Sequence, residues 1–358
     1  MSSITTRISI GPHLHAPESV PRTMGLVILA LMPTTLFGLY LFGWPAAFLF
    51  GVTLLSALAA EAVSLLVAGR PVKPFLLDGS ALLTGWIVAL TLPPWAPWWT
   101  GAVGSLIAIV IGKHIYGGLG QNVFNPAMVG RIALLISVPR EMTAFVSPQP
   151  LFSAAAPDFF TGLGITFIEG TGYDAVSGAS ILDHVKTQLH QGAPLPSALE
   201  GIYDPLALFI GTVPGSLGET SALLILAGGL LLIARGVITW HTPAAMIAAM
   251  VLVAGAFHLI DPEHHAGAFY HLLSGTFMLG AFFIATDYVT APVTPLGRVI
   301  FGAGCGVLTY VIRTWSAFPE GVGFAVLMMN AATPIIDHYI RPRIFGRTRR
   351  GEPIAFDD

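Results

Sequence analysis

The chain has 358 residues, of which 54% are hydrophobic and 10% are charged, with a formal net charge of -3 and a mean hydropathy of +0.76. Soluble domains carry about 25% charged residues, so this composition predicts an integral membrane protein that crosses the lipid bilayer many times. The small net charge gives no indication of nucleic-acid binding, and no metal site is predicted. A single cysteine, Cys305, excludes a disulfide framework and an iron–sulfur cluster held by this chain alone, since such a cluster takes about four ligands.

Apolar segments make up most of the chain, and we predict about ten transmembrane helices in an all-α polytopic membrane protein. A polar N-terminal arm covers residues 1–22, and five segments follow within residues 23–138. A polar interval at 139–204 comes next, then five more segments within residues 205–340 and a basic tail at 341–358. The predicted segments are Met24–Trp44, Ala46–Ala68, Gly79–Leu92, Gly101–Tyr116, Arg131–Val138, Ser221–Ala234, Pro243–Ile260, Phe269–Val289, Val299–Trp315 and Gly321–Ile340.

The two sets of five segments resemble each other. Thr84 and a proline cluster mark the short third segment, and Thr286 and further prolines mark the eighth. Asn125 stands in the first set where Asn330 stands in the second. Because five crossings reverse the direction of the chain, these features predict two inverted five-helix repeats with broken helices, as in transporters. The alternative is that glycine-rich packing makes the two sets alike without a repeat.

The positive charges predict the orientation of the chain in the membrane. With the N-terminus in the cytoplasm and ten crossings, both termini are cytoplasmic and residues 139–204 lie outside, as the positive-inside rule favours. The inner positions are then Arg70, Lys73, Lys113, His114, Arg131, Arg235, His241, Arg298 and the tail, and the outer ones are Arg140, Lys186 and Arg313.

A short motif lies in the polar interval. It resembles the D-x-x-S-G-A-T signature at which an ApbE-type flavin transferase attaches FMN through a phosphoester. Ser180 takes the acceptor position, where threonine is usual, and it offers the same nucleophilic oxygen. The alternative is an ordinary loop in which Ser180 caps a helix predicted over Ile181–Gln191. The candidate flavin-binding residues are Asp174, Ser177, Gly178, Ala179 and Ser180.

Together with the ten segments, the motif makes nearly the whole chain resemble the D subunit of the Rnf electron-transport complex. Further likeness lies in residues 78–85 and 122–128. The B subunit of the sodium-pumping NADH:quinone reductase is a related alternative. The resemblance implies a subunit of the bacterial inner membrane, not an enzyme alone, that assembles with other membrane, flavin and iron–sulfur subunits. It implies covalent FMN, electron transfer between ferredoxin and NAD, and coupled movement of Na⁺ or H⁺. It leaves room for a second, non-covalent flavin such as riboflavin.

One intramembrane acid is the candidate for contact with the coupling ion. Asp287 lies in the predicted eighth segment beside Thr286, and a carboxylate within a span usually faces a partner, a cavity or water. The alternative is that Asp287 pairs with Arg298 or with another subunit, and the same question applies to Glu61. Two other function classes stay open: a channel whose outer loop is structural, and a scaffold without flavin.

Overall fold

The computed structural model of the chain describes residues 19–169, 177–178 and 180–342. These residues are mostly helical, which is the expected solution where backbone polar groups must be satisfied within lipid. Three helices are long and apolar enough to cross a membrane, and shorter apolar helices accompany them. The chain is therefore a multi-pass membrane protein, as its composition predicts.

The first helix, α1 (Val20–Val67), spans 48 residues but is broken near its middle. Gly43 has φ 72° and ψ -156°, a conformation that side-chain-bearing residues rarely adopt. The break falls where the first two predicted segments meet. Two carbonyl groups next to it, those of Tyr40 and Leu41, accept hydrogen bonds from the backbone N–H groups of Leu151 and Gln149.

The rest of the first half agrees with the predicted third, fourth and fifth segments. It consists of α2 (Val72–Leu76), α3 (Ser80–Thr91), α4 (Trp98–Leu106) with a π-helical continuation (Ile107–His114), and α5 (Pro126–Ser137). The predicted fifth segment, which includes Asn125 and Pro126 and continues from Arg131 to Val138, is the helix α5. The Asn125 side chain accepts from Met128 N at 3.2 Å and Pro126 occupies the first turn, so the helix starts there. Arg131 therefore lies inside α5.

The polar interval folds into short elements. They are α6 (Pro139–Thr143), β1 (Phe145–Val146), α7 (Phe159–Gly164) with a π-helical turn (Ile165–Glu169), β2 (Ser177–Gly178), α8 (Ile181–His190) and α9 (Leu195–Leu199). The strands pair antiparallel, with Phe145 opposite Gly178. The helix predicted over Ile181–Gln191 is confirmed as α8, and its apolar face packs in a small separate cluster with Leu195 and Tyr270.

The second half differs from prediction in its eighth segment. It consists of α10 (Pro205–Ile210), a 3₁₀ turn (Leu217–Glu219), α11 (Ala222–Ala234), α12 (His241–Ile260), α13 (Ala268–Leu273), α14 (Phe277–Leu279) with a π-helical continuation (Gly280–Ile284), α15 (Pro295–Trp315) and α16 (Val322–Tyr339). A single segment over Phe269–Val289 is wrong, because the chain leaves the helical path between α13 and α14. Gly275 has φ +66° there, and a Cβ atom would collide with the Glu320 carboxylate.

Glycines let neighbouring helices approach closely in both halves. A Cβ at Gly302 or Gly306 of α15 would collide with backbone oxygens of α12, and one at Gly130 of α5 would collide with the Gly104 oxygen of α4. Such small-residue contacts are the usual means of packing helices in lipid. One large apolar core joins the two halves, and two of the cavities among the described residues lie against it, each with a mainly apolar wall that includes a few polar or charged side chains.

Candidate functional site

The smaller cavity, called here the serine cavity, has a volume of about 20 Å³, which is room for about one water molecule. Elements from three parts of the chain form its walls: α5 with the α6–β1 segment, the start of α8, and the turns that precede α11 and α16. Its lining residues are Arg131, Leu135, Met142, Thr143, Phe145, Ser180, Leu182, Glu219, Pro319 and Glu320.

Ser180 lies at the N-cap of α8 on one wall of the serine cavity. Its Oγ accepts a hydrogen bond from Asp183 N at 3.2 Å, and the residue is 8% exposed. The capping geometry considered as an alternative is therefore confirmed. Ser177 and Gly178 form β2, whose pairing with β1 leads the chain to this position. Asp174 and Ala179 lie outside the described residues, so their predicted roles stay predictions.

Lys186 anchors α8 and thereby the position of Ser180. Its Nζ donates to the backbone oxygens of Arg313 at 3.0 Å and Phe318 at 2.9 Å. Partial burial lowers the pKa of Lys186, and the nearby Asp183 carboxylate opposes that shift. The helix start is thus held against the connection between α15 and α16.

Arg131 is the cation on the wall contributed by α5. The residue is 5% exposed, and its hydrogen bond within the described chain goes from Nη1 to Met142 Sδ at 3.9 Å. Among the described residues no carboxylate lies within ion-pair distance of its guanidinium. Arg131, which the charge pattern predicts on the inner side, is thus buried within α5. In the sequence, the feature that indicates its burial is that Arg131 is a single charged residue within an apolar run.

Arg313, by contrast, is a buried arginine with several partners. Its Nη2 lies 3.1 Å from Glu320 Oε1, and its two Nη atoms donate to the backbone oxygens of His271 and Ser274 at 2.7 and 2.9 Å. Glu320 Oε2 also accepts from Thr276 N at 2.9 Å. These bonds hold the break between α13 and α14 against α15, so Arg313 is structural rather than a surface charge.

The larger of these two cavities, called here the asparagine cavity, has a volume of about 80 Å³ and lies between α3 and the π-helical end of α14. Most of its wall is apolar. Its polar lining residues are Thr23, Ser80, Thr84, Lys113, Asn122, Asn125, Thr286, Asp287 and Tyr288.

Two asparagines join the halves of the molecule beside this cavity. Asn125 N donates to Asn330 Oδ1 at 3.0 Å, although 205 residues separate them. Asn125 Nδ2 donates to Ile284 O and Asn330 Nδ2 to Thr290 O, each at 3.3 Å. The two positions predicted as equivalent are therefore in direct contact.

One buried acceptor in the asparagine cavity has no partner within the described chain. Asn122 is 5% exposed, and its Oδ1 accepts no hydrogen bond. Lys113, in contrast, donates to Glu61 Oε1 at 2.9 Å and to Ser80 Oγ at 2.8 Å. His114 Nε2 lies 2.9 Å from Glu61 Oε2, but the orientation does not form a hydrogen bond. Lys113 and Glu61 are each 2% exposed, so Lys113, which the charge pattern predicts on the inner side, is a buried and paired charge.

Asp287 and Thr286 lie on the wall of the same cavity. Asp287 follows the π-helical turn rather than standing within a helix, and its Oδ2 accepts from Thr290 Oγ1 at 3.0 Å. The alternative pairing with Arg298 is wrong, because Arg298 donates to Pro292 O and Thr239 Oγ1 instead. Thr84, on α3, lines this cavity as well.

Comparison with known proteins agrees with this architecture. A sequence model described as the NQR2, RnfD, RnfE family matches residues 7–346. A protein of Halorhodospira halophila, named as the D subunit of an ion-translocating oxidoreductase complex, is 52% identical over 97% of each chain. Proteins of the same name from Stutzerimonas stutzeri and Rhodobacter capsulatus are 53% and 50% identical, over 94% and 87% of this chain and 95% and 87% of theirs. The chain therefore belongs to the NQR2, RnfD, RnfE family.

Proposed function

We propose that this chain is the D subunit of an Rnf-type ion-translocating oxidoreductase and carries FMN covalently on Ser180. The name shared by its relatives supports the first part. The observation that carries the second part is the position of Ser180. Its Oγ stands at the N-terminus of α8, on the wall of a buried cavity. The same cavity is lined by Arg131, whose guanidinium forms no direct ion pair among the described residues, and by Glu219 and Glu320.

The residues present fit a phosphoester at this position. An ApbE-type transferase would replace the hydroxyl proton of Ser180 by the FMN phosphate. The Oγ atom accepts rather than donates in its bond with Asp183 N, so that bond does not depend on the lost proton. The phosphodiester anion would lie at the positive end of a ten-residue helix, which favours negative charge. Because Ser180 is buried, we expect attachment to precede the packing of α8.

The bound flavin would supply electron transfer between the partner subunits, from ferredoxin to NAD or in reverse. This chain would hold it through Ser180, with the phosphate at the N-terminus of α8. Iron–sulfur subunits, a second flavin-bearing subunit and further membrane subunits are the partners that such a relay requires.

We assign a second, non-covalent flavin such as riboflavin to the asparagine cavity. Its walls are mostly apolar, and the unpartnered Asn122 Oδ1 would accept from the imide N–H of a flavin ring. Asp287 and Thr286 on the same wall would offer oxygen ligands to the coupling cation, since hard cations prefer oxygen.

We also propose ten spans in two inverted repeats, with both termini cytoplasmic and residues 139–204 outside the bacterial inner membrane. The contact between Asn125 and Asn330 supports facing repeats. Three of the cations used to predict the orientation are buried, so they no longer count as charges on one side of the membrane: Lys113, Arg131 and Arg313. The exposed charges Arg70, Lys73 and Arg235 still favour this orientation.

In-gel ultraviolet fluorescence of the denatured polypeptide tests the attachment. We expect a fluorescent band for the unchanged chain and for Ser180→Thr, and none for Ser180→Ala. Ser197→Ala, at an exposed serine of α9, is the matched control and should stay fluorescent. Mass spectrometry that finds flavin on a peptide without Ser180 would contradict the assignment. A non-fluorescent unchanged chain would favour the channel or scaffold alternatives.

A further inference from the structure

We propose that the apolar helix Phe159–Ile168 lies in the interface between lipid and water and binds lipid through its exposed aromatic face. This helix consists of α7 and most of the π-helical turn that follows it. It belongs to the interval that the proposed orientation places outside the membrane, and it adds a lipid contact within that interval. The contact is independent of the proposed flavin attachment at Ser180.

The helix is apolar along its whole length but too short to cross a bilayer. Its ten residues contain no charged side chain and include three phenylalanines. At 1.5 Å per residue the helix is about 15 Å long, whereas about 20 residues are needed to span the hydrocarbon core. A helix of this length and composition can lie along the interface but cannot span the membrane.

One face of the helix packs against the break in α1. A Cβ atom at Gly162 would lie 2.8 Å from Trp44 Cβ, so the two backbones are in close contact. Thr166 is 1% exposed, and its Oγ1 donates to Gly162 O at 3.0 Å, with a longer contact to Pro45 O at 3.4 Å. The helix is therefore fixed against the junction of the first two predicted segments.

The exposed side chains of the helix are large and apolar. Phe160 and Ile168 are 79% and 82% exposed, and Phe159 and Phe167 are 42% and 40% exposed. A helix that is apolar all round is normally buried in a protein core or in lipid. An exposed apolar patch of this kind marks a site of contact with a membrane or with another protein.

Neighbouring aromatic side chains favour lipid as the occupant. Trp44 ends the first predicted segment and Trp98 stands just before the fourth, which are positions typical of an aromatic belt at one membrane surface. The helix continues this belt. The Phe159 ring centroid lies 5.1 Å from that of Trp44, and the Phe167 centroid lies 6.4 Å from that of Trp98. The exposed face is thus continuous with a surface that meets lipid.

A charged residue keeps the start of the helix at the water boundary. Asp158 is exposed, and its Oδ1 accepts a hydrogen bond from Thr161 N at 2.8 Å as the N-cap. Hydrogen bonds with Thr161 lower the pKa of Asp158, so this carboxylate is ionised at neutral pH. Because a carboxylate is costly to place in hydrocarbon, the helix lies at the interface and no deeper.

Nitroxide labels on the full-length chain in lipid nanodiscs test this placement. Phe160→Cys and Ile168→Cys carry the label at the two most exposed positions of the helix. Leu252→Cys, at a 72% exposed position of α12, is the lipid reference, and Ser197→Cys, at an exposed position of α9, is the water reference. The unchanged chain is the labelling blank, since Cys305 is buried. Power saturation compares collisions with oxygen, which concentrates in lipid, and with a water-soluble nickel chelate.

We expect the labels on the helix to give oxygen-to-nickel collision ratios closer to that of Leu252→Cys than to that of Ser197→Cys, on a logarithmic scale. Ratios that match Ser197→Cys would overturn the inference, because the face would then lie in water.

The same labels are then measured in the assembled complex, also in nanodiscs. Lipid-like ratios there would support the inference again. Loss of collisions with both reagents would overturn it, since a partner subunit rather than lipid would then cover the helix. Because Phe160 and Ile168 are both highly exposed, either variant decides if the other does not accumulate.

Discussion

The serine cavity and the asparagine cavity differ in which side chain on the wall lacks a direct partner. In the serine cavity the cation, Arg131, has no carboxylate within ion-pair distance among the described residues, and the helix end at Ser180 adds positive potential. In the asparagine cavity the cation, Lys113, is paired with Glu61 and Ser80, and the unpartnered group is the neutral acceptor of Asn122. The side chain without a direct ionic partner is thus a cation in the first cavity, where Glu219 and Glu320 also line the wall, and a neutral acceptor in the second.

This contrast agrees with the two flavins proposed for the chain. FMN carries a phosphate, which remains anionic after esterification to Ser180. Riboflavin carries no phosphate and needs hydrogen-bond partners rather than a counter-charge.

The largest effect should come from breaking the paired cation of the asparagine cavity. Lys113→Met leaves the Glu61 carboxylate buried without its partner, and removing one member of a buried ion pair typically costs about 3–5 kcal/mol. We expect a matching loss in the free energy of unfolding, measured by thermal or denaturant unfolding in detergent. The double variant Lys113→Met with Glu61→Gln should recover much of that loss. A single variant as stable as the unchanged chain would show that the pair is not needed.

The next largest effect should come from Asp287, the acid on the wall of the asparagine cavity. Asp287→Asn keeps the shape of the side chain and its bond with Thr290 but removes the charge offered to a cation. We expect ion movement by the assembled complex to fall about tenfold while electron transfer continues, since hard cations prefer charged oxygen ligands. Ion movement and electron transfer are measured separately in vesicles that contain the complex. Asp337→Asn, at a carboxylate that accepts from Val293 N, provides a comparison at a second acid of this region. Normal coupling in an intact Asp287→Asn complex would leave Asp287 a structural residue.

A smaller effect should follow from replacing Asn122, the neutral acceptor in the asparagine cavity. Asn122→Leu removes one hydrogen bond to a bound ring, and a bond of about 1.4 kcal/mol corresponds to tenfold in affinity. We therefore expect about tenfold weaker retention of the flavin that is released on denaturation, with the covalent fluorescence unchanged. A Ser180→Ala chain should show the reverse pattern. Loss of both flavins in Asn122→Leu would mean that the two cavities are not independent.

The smallest effect on stability should come from Asp174→Ala. Surface changes usually alter the free energy of unfolding by less than about 0.5 kcal/mol, so the chain should assemble normally. We expect the covalent fluorescence to fall nevertheless, because the motif places this carboxylate near the acceptor hydroxyl. A fully fluorescent Asp174→Ala chain would remove Asp174 from the attachment site, while the comparison between the two cavities would stand.

Local sequence patterns determined several features of this protein correctly. Long apolar runs predicted the membrane class and most helix positions, because a segment that crosses lipid must be apolar along its whole length. A serine before an apolar, amphipathic stretch predicted the start of α8 at Ile181, since capping depends on residues only three positions apart. The family followed from short motifs and from the order of the segments.

Only the tertiary structure decided which charges and polar groups are buried, and against what. Lys113 meets Glu61 across 52 residues, and Asn125 meets Asn330 across 205. Arg131 lines the cavity of Ser180 because α5 and the start of α8 meet there. The break at Gly275 depends on the approach of the Glu320 carboxylate. Each outcome rests on contacts between distant segments, whose free energy depends on burial and geometry that no local pattern contains.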